Sequence, residues 1–184
     1  MTQELSSKLK PESVIAIIDS REQLPLNLSP LRTALGTLAT GDYALLASPD
    51  VCRVERKSLP DLVACVGSER ERFDREVARL LAYPVRILVV EATWQQIESH
   101  EATMPQWRGK VSRESVIGSL INWQAQGLSI HMAGDHHHAG RYVARLLFTI
   151  ARRRYRELRE FVSAATEPFG ESTKEIETGV QDAN

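Results

Sequence analysis

Runs of apolar residues along the chain change period several times, and each change predicts an element. Val14 to Ile18 is a continuous, mostly β-branched run between Pro11 and Asp19-Ser20, the pattern of a buried strand. Leu31, Ala34 and Leu35 recur at helical spacing after Ser29-Pro30, which predicts a short helix capped by Ser29 and ended by Gly36. Leu38 to Thr40, Tyr43 to Ala47 and Val51 to Glu55 read as three short antiparallel strands, the last two joined by a Ser48-Pro49-Asp50 turn. Ser58, with Asp61 three residues on, opens a helix whose stripe is Leu59, Leu62, Val63 and Val66. Gly67-Ser68 breaks it. Ser68 to Tyr83 follows as an amphipathic helix with Phe73, Val77, Leu80 and Leu81 on one face and alternating charges on the other.

Further along, Arg86 to Glu91 is apolar without interruption, as befits a central strand covered on both faces. Thr93 to Pro105 is weakly helical, and Arg108-Gly109-Lys110 reads as a basic loop. Ser112 to Gln126 predicts a helix with Val116, Ile117, Leu120, Ile121 and Trp123 inward, and Leu128 to Met132 another buried strand. Gly134 to His138 reads as an exposed loop in which Asp135 caps a long helix from Gly140 to Arg159 with Val143, Leu146, Leu147, Ile150 and Ala151 inside. Neighbouring histidines point apart, so the His136–His138 run does not predict a metal site. Residues 1–12 read as a flexible leader, 13–160 as one domain, and 161–184 as a polar, disordered tail.

Candidate chemistry concentrates between Gly41 and Asp61. Asp42 stands at the entry to one strand and Glu55 at the end of the next, followed by Arg56 and Lys57. Side chains two apart on a strand share a face, so Glu55 and Lys57 point one way and Arg56 the other. A hairpin pairing of the two strands brings Asp42 near Glu55. Two carboxylates and a lysine on one face suit a hard divalent cation beside an activated water. Asp61 has a plain reading as a helix cap, and Asp19, at the end of the first strand, as a turn residue. Glu91 reads as either a helix-capping acid or a support for the site, with capping preferred.

The constellation Gly41, Asp42, Glu55, Arg56, Lys57 and Asp61 resembles the signature of the XPF/Hef family of structure-specific DNA nucleases. Asp19-Ser20-Arg21-Glu22 fits the Asp-x-Arg-Glu with which that family's pattern opens, and the resemblance spans roughly residues 14–155. It implies a three-layer α/β/α, restriction-endonuclease-like core with a mixed central sheet. It also implies a Mg2+- or Mn2+-dependent endonuclease acting on branched DNA (flap, fork or junction) in repair or recombination. Asp42 and Glu55 would bind metal with Asp19 assisting, and Lys57 would act with them in catalysis. Arg21, Glu22, Arg56 and Asp61 would support the site, and Arg72 and Arg56 would contact DNA. The alternatives are a non-catalytic DNA-binding or dimerisation scaffold of the same fold, and a junction resolvase or restriction-type nuclease. The family's late helices imply a homodimer surface. Its helix-hairpin-helix pair and helicase module have no counterpart in this sequence, so a protein partner is expected to supply them or they are dispensable. The sequence departs from the family at Ala92-Thr93-Trp94, where Gly often follows the strand, and at the histidine run.

Composition changes this picture little. The 184 residues carry 23 Lys and Arg against 24 Asp and Glu, a formal net charge of −1, so any nucleic-acid track must be local rather than global. Cys52 and Cys65 have no metal-ligand or disulfide spacing and read as reduced core residues. There is no signal-peptide pattern and no membrane-length apolar run, giving an expectation of a cytoplasmic protein, nucleoid-associated if prokaryotic and not secreted.

Overall fold

The computed structural model describes residues 8–99 and 111–166. The expected loop Arg108–Lys110, the start of the leader and the tail beyond Thr166 lie outside the described residues. After a turn of 3-10 helix at Pro11–Ser13, the elements run β1 (Ile15–Asp19), β2 (Arg32–Gly36), β3 (Tyr43–Leu45), β4 (Cys52–Ser58), α1 (Leu59–Val66) and α2 (Arg70–Leu80). They continue with β5 (Val85–Glu91), α3 (Trp94–Ser99), α4 (Arg113–Ala125), β6 (Ser129–Met132) and α5 (His136–Thr166).

The strands form one mixed sheet in the order β2-β1-β3-β4-β5-β6. The β1-β3 and β3-β4 pairs are antiparallel, while β1-β2, β4-β5 and β5-β6 are parallel. Alternation along each strand sends side chains to two separate cores. One contains Leu88 and Val90 of β5 beneath α1, α2 and α4. The other contains Tyr43, Val54, Ile87 and Val89 beneath α5, which packs through Ala139, Val143, Ala144 and Leu147. This is the three-layer α/β/α arrangement expected from the sequence. Cys52 and Cys65 are free and buried.

Several local expectations are corrected. Residues 32–36 form strand β2, not a helix, and Leu35 stands 79% exposed. A helix of so few residues gains little from propensity alone. The edge of β1 offers this segment a full ladder instead, from Ile15↔Arg32 to Asp19↔Gly36. Leu38 to Thr40 is a bend, not a strand, because site residues bond to it: Leu38 N donates to Asp19 Oδ2 at 2.7 Å and Leu38 O accepts from Arg21 Nη2 at 2.8 Å. Ile121 of α4 is 57% exposed, and Ser119 is buried in its place, accepting a bond from Arg70 Nη1. His136–His138 form the first turn of α5 and not a loop, with His138 N donating to Asp135 Oδ1 at 2.8 Å. Residues 161–166, expected in the tail, continue that helix.

Candidate active site

The carboxyl ends of β1, β4 and β5 meet the turn before β3, and each delivers a charged side chain. Gly41 makes the turn possible. Its φ is +72°, and a Cβ there would lie 3.1 Å from Val54 O. Asp42 N then donates to Val54 O at 2.7 Å, which seats Asp42 beside β4. Arg56 N donates to Asp42 Oδ2 at 2.7 Å, so the main chain of β4 fixes the carboxylate.

Asp42, Glu55 and Lys57 line one polar cavity of about 480 Å³, together with Asp19, Arg21, Glu22, Arg56, Asp61, Arg72 and Glu76. Lys57 Nζ pairs with Glu55 Oε1 and lies 5.3 Å from the centre of the Phe73 ring. Burial, then the neighbouring Glu55 charge, pushes Asp42 up to about 7, although the Arg56 amide and Lys57 work in the other direction. Burial raises Glu55 as well, against the pull of Lys57. Burial also works against the Lys57 ammonium, but Glu55 and Asp42 outweigh it and the pKa rises. The site therefore holds two carboxylates whose negative charge the protein only partly compensates, next to a firmly protonated lysine.

Asp19 occupies a different environment. Its Oδ1 accepts from Arg21 N at 2.9 Å and Arg21 Nε at 2.7 Å, and its Oδ2 accepts from Arg21 Nη2 at 3.0 Å and Leu38 N. The Arg21 guanidinium holds its carboxyl down at about 2. Both Asp19 oxygens are thus engaged by protein donors.

Arg56 points to the opposite sheet face from Glu55 and Lys57. Its Nε and Nη2 donate to the two oxygens of Glu22 at 3.1 and 3.0 Å, and its Nη1 donates to Glu91 Oε1 at 3.0 Å. Burial opposes the Arg56 charge, and the two carboxylates more than offset it. Glu91 is not a helix cap. Its Oε1 also meets His136 Nδ1 at 2.7 Å, because β5 ends directly against the first turn of α5. Asp61 has the capping role read from the sequence, its Oδ2 accepting from Ser58 Oγ at 2.6 Å, and it lines the cavity as well. Arg72 is exposed at the rim, paired with Glu69.

One site residue escaped the sequence reading. By sequence pattern Glu76 of α2 belongs to the alternating charges of a solvated helix face. Its Oε1 instead accepts from Thr40 Oγ1 and from Gly41 N, the latter at 3.0 Å, while Oε2 pairs with Arg79. Burial opposes its charge, but these donors prevail and its pKa is lowered. It clamps the turn that carries Asp42. The only sequence signal was its position on the inner edge of α2, one residue before Val77.

Comparison with curated protein sequences gives no match. Among solved structures, the chain is similar to XPF from Aeropyrum pernix, with a TM-score of 0.58 and 21% identity over 80% of this chain and 69% of that one. It is similar too to XPF from Aeropyrum pernix in complex with DNA, with a TM-score of 0.58 and 20% identity over 77% of this chain and 66% of that one. The chain thus spans about two thirds of the length of these structures. The ERCC4 domain family model matches residues 18–146. That match covers well over half of the sequence and includes every candidate site residue named above, and the chain belongs to the ERCC4 domain family.

Proposed function

We propose that the chain is a divalent-metal-dependent DNA endonuclease that hydrolyses phosphodiester bonds near branch points. One observation carries this reading: Asp42, Glu55 and Lys57 face the same polar cavity, with both carboxylates raised by burial.

The donor set fits a hard cation. Among the described residues no group of three or more His, Cys, Asp or Glu side chains converges on a metal position. Mg2+ does not require one, since it keeps several waters and is commonly held by one or two carboxylates with substrate phosphate completing the shell. Asp42 Oδ1 and Glu55 Oε2 accept no hydrogen bond among the described residues and are free to serve. Asp19, engaged by Arg21 and Leu38, acts by bracing the bend that precedes Asp42. When bound, the ion supplies a Lewis acid that polarises a phosphoryl oxygen and acidifies a water. Lys57, held by Glu55 and protonated, orients the attacking water and stabilises negative charge developing on the phosphorus oxygens. Arg72, with its side chain 64% exposed at the rim, is placed to take a phosphate in exchange for Glu69. Arg56 spends its donors on Glu22 and Glu91 and serves as a structural clamp rather than a DNA contact.

The test is cleavage of labelled flap, fork and junction DNA by the purified chain in Mg2+ and in Mn2+. Wild type should nick, and Lys57→Ala should lose about 10²-fold or more of the rate while circular dichroism shows the chain still folded. Wild-type rates from Lys57→Ala would overturn the assignment. DNA binding with no cleavage in either metal would replace it with the scaffold reading. The exposed Leu158, Phe161 and Val162 of α5 support a homodimer through this helix, which solution mass measures.

A further inference from the structure

The site makes no use of a second charged feature, the outer face of α5. At about 100° per residue, Arg141, Arg145, Arg152, Arg156 and Arg159 fall within about 60° of one another on that helix. This face lies opposite Val143 and Leu147, which are buried against the sheet. Arg141, Arg145, Arg152 and Arg156 are exposed and Arg159 is half-buried. Residues 141–156 contain no acidic residue at all, in a chain whose formal net charge is −1.

Helix α2 is the internal comparison. It too is rich in arginine, but there Arg70 pairs with Asp74, Arg72 with Glu69 and Arg79 with Glu76. That is how a solvated face is normally laced. On α5 the acids come late. Glu157 takes Arg153 and Arg154, which lie off the stripe, and Glu160 reaches Arg156 only at 3.8 Å. No carboxylate among the described residues pairs with Arg141, Arg145 or Arg152. Arg152 lies 5.9 Å from the centre of the Phe148 ring, which holds its side chain along the helix. The stripe runs for about 27 Å at 1.5 Å per residue, a little less than one turn of duplex DNA at roughly 34 Å. The helix itself starts beside the candidate site, at His136, which bonds the Glu91 that holds Arg56 on the cavity wall, and Arg141 follows about 7.5 Å further along it.

We propose that the arginine face of α5 binds the phosphate backbone of a duplex arm of the DNA substrate, outside the cavity where the strand is cut. Like-charged side chains without a carboxylate partner, as at Arg141, Arg145 and Arg152, destabilise an isolated helix, and a polyanion relieves them. Guanidinium forks suit phosphate oxygens, and contacts of this kind position DNA without reading its sequence. The inference rests on the nuclease reading of the cavity and names how its substrate is held.

Equilibrium binding in EDTA separates the two. A labelled blunt duplex and a fork are titrated with wild type, with an Arg141→Gln, Arg145→Gln, Arg152→Gln triple variant, and with a control of equal charge change, Arg32→Gln, Arg75→Gln, Arg113→Gln, all of them exposed positions. Melting temperatures confirm folding. The α5 variant should lose about tenfold or more in affinity at low salt, and its log K against log salt slope should flatten by about 2 to 3, one per lost phosphate contact. The control should keep both. Equal loss in the control, or wild-type binding by the α5 variant, overturns the proposal. Loss confined to phosphatidylserine vesicles, with DNA affinity intact, overturns it in favour of a membrane surface. Nicking in Mg2+ is scored separately with wild type. Its absence removes the nuclease reading, while the binding comparison still decides the arginine face.

Discussion

Asp42 is held where both burial and Glu55 disfavour its charge, so its ionisation opposes folding. Its folded pKa is about 7, above the ordinary 3.8. Between those values the folded chain holds more proton than the unfolded chain, so stability falls as pH rises across that window. Asp42→Asn keeps the shape and removes the charge. It should raise the stability of the metal-free protein by about 1–3 kcal/mol near pH 8 and leave it nearly unchanged near pH 4. Thermal melts at both pH values check this. A drop near pH 8 would show that the charge is satisfied without metal. The same residue predicts that Mg2+ raises the wild-type melting temperature near pH 8 more than near pH 6, because the carboxylate must be ionised to bind the ion. The Asn variant should lose most of that increment.

Among the elements, α2 does more than cover a core. Phe73 packs edge-on against Trp123 at 4.9 Å, and Trp123 Nε1 donates to Asp74 Oδ1 at 3.1 Å, which fixes the helix against α4. From that fixed helix, Glu76 reaches Thr40 and Gly41. Glu76→Ala should therefore slow cleavage by about 10- to 100-fold and raise the Mg2+ concentration needed for half-maximal rate, as loss of outer support does at metal sites. Metal titrations of the rate measure this, and an unchanged Mg2+ dependence would limit Glu76 to a structural role. What the sequence made legible follows the same division. The apolar runs of β1 and β5, the Ser58 cap and the Glu55-Lys57 pair all depend on near neighbours, so local pattern suffices. Strand β2 departs from the helix that the i, i+3, i+4 spacing of Leu31, Ala34 and Leu35 predicts, because the free edge of β1 sets this segment's conformation and no local pattern shows that edge. The Glu76 clamp and the Glu22-Arg56-Glu91 cluster join residues about 35 apart in sequence, a distance over which no local pattern carries information.

Across the whole molecule, two cores on opposite faces of one sheet must stay in register for Asp42, Glu55 and Lys57 to share a cavity. Arg56 is the side chain placed to enforce this. Its guanidinium joins the segment after β1, through Glu22, to the end of β5, through Glu91, and Glu91 in turn holds His136 at the start of α5. The side chains of Arg56, Glu22 and Glu91 are each no more than 10% exposed. Removing the cation from such a cluster leaves two buried carboxylates facing each other, which costs about 3–5 kcal/mol. Arg56→Met should therefore lower the urea midpoint well below that of the wild type. Adding Glu22→Gln to Arg56→Met should restore part of the loss, because it removes one of the uncompensated charges. A double-mutant cycle in urea measures the coupling. If Arg56→Met unfolds at the wild-type midpoint, the cluster is not what keeps the two layers aligned. If the coupling is large, the architecture assigns stability to Arg56 on the α5 face and chemistry to Glu55 and Lys57 on the other. The three consecutive residues Glu55-Arg56-Lys57 can then serve opposite ends because a strand alternates its side chains.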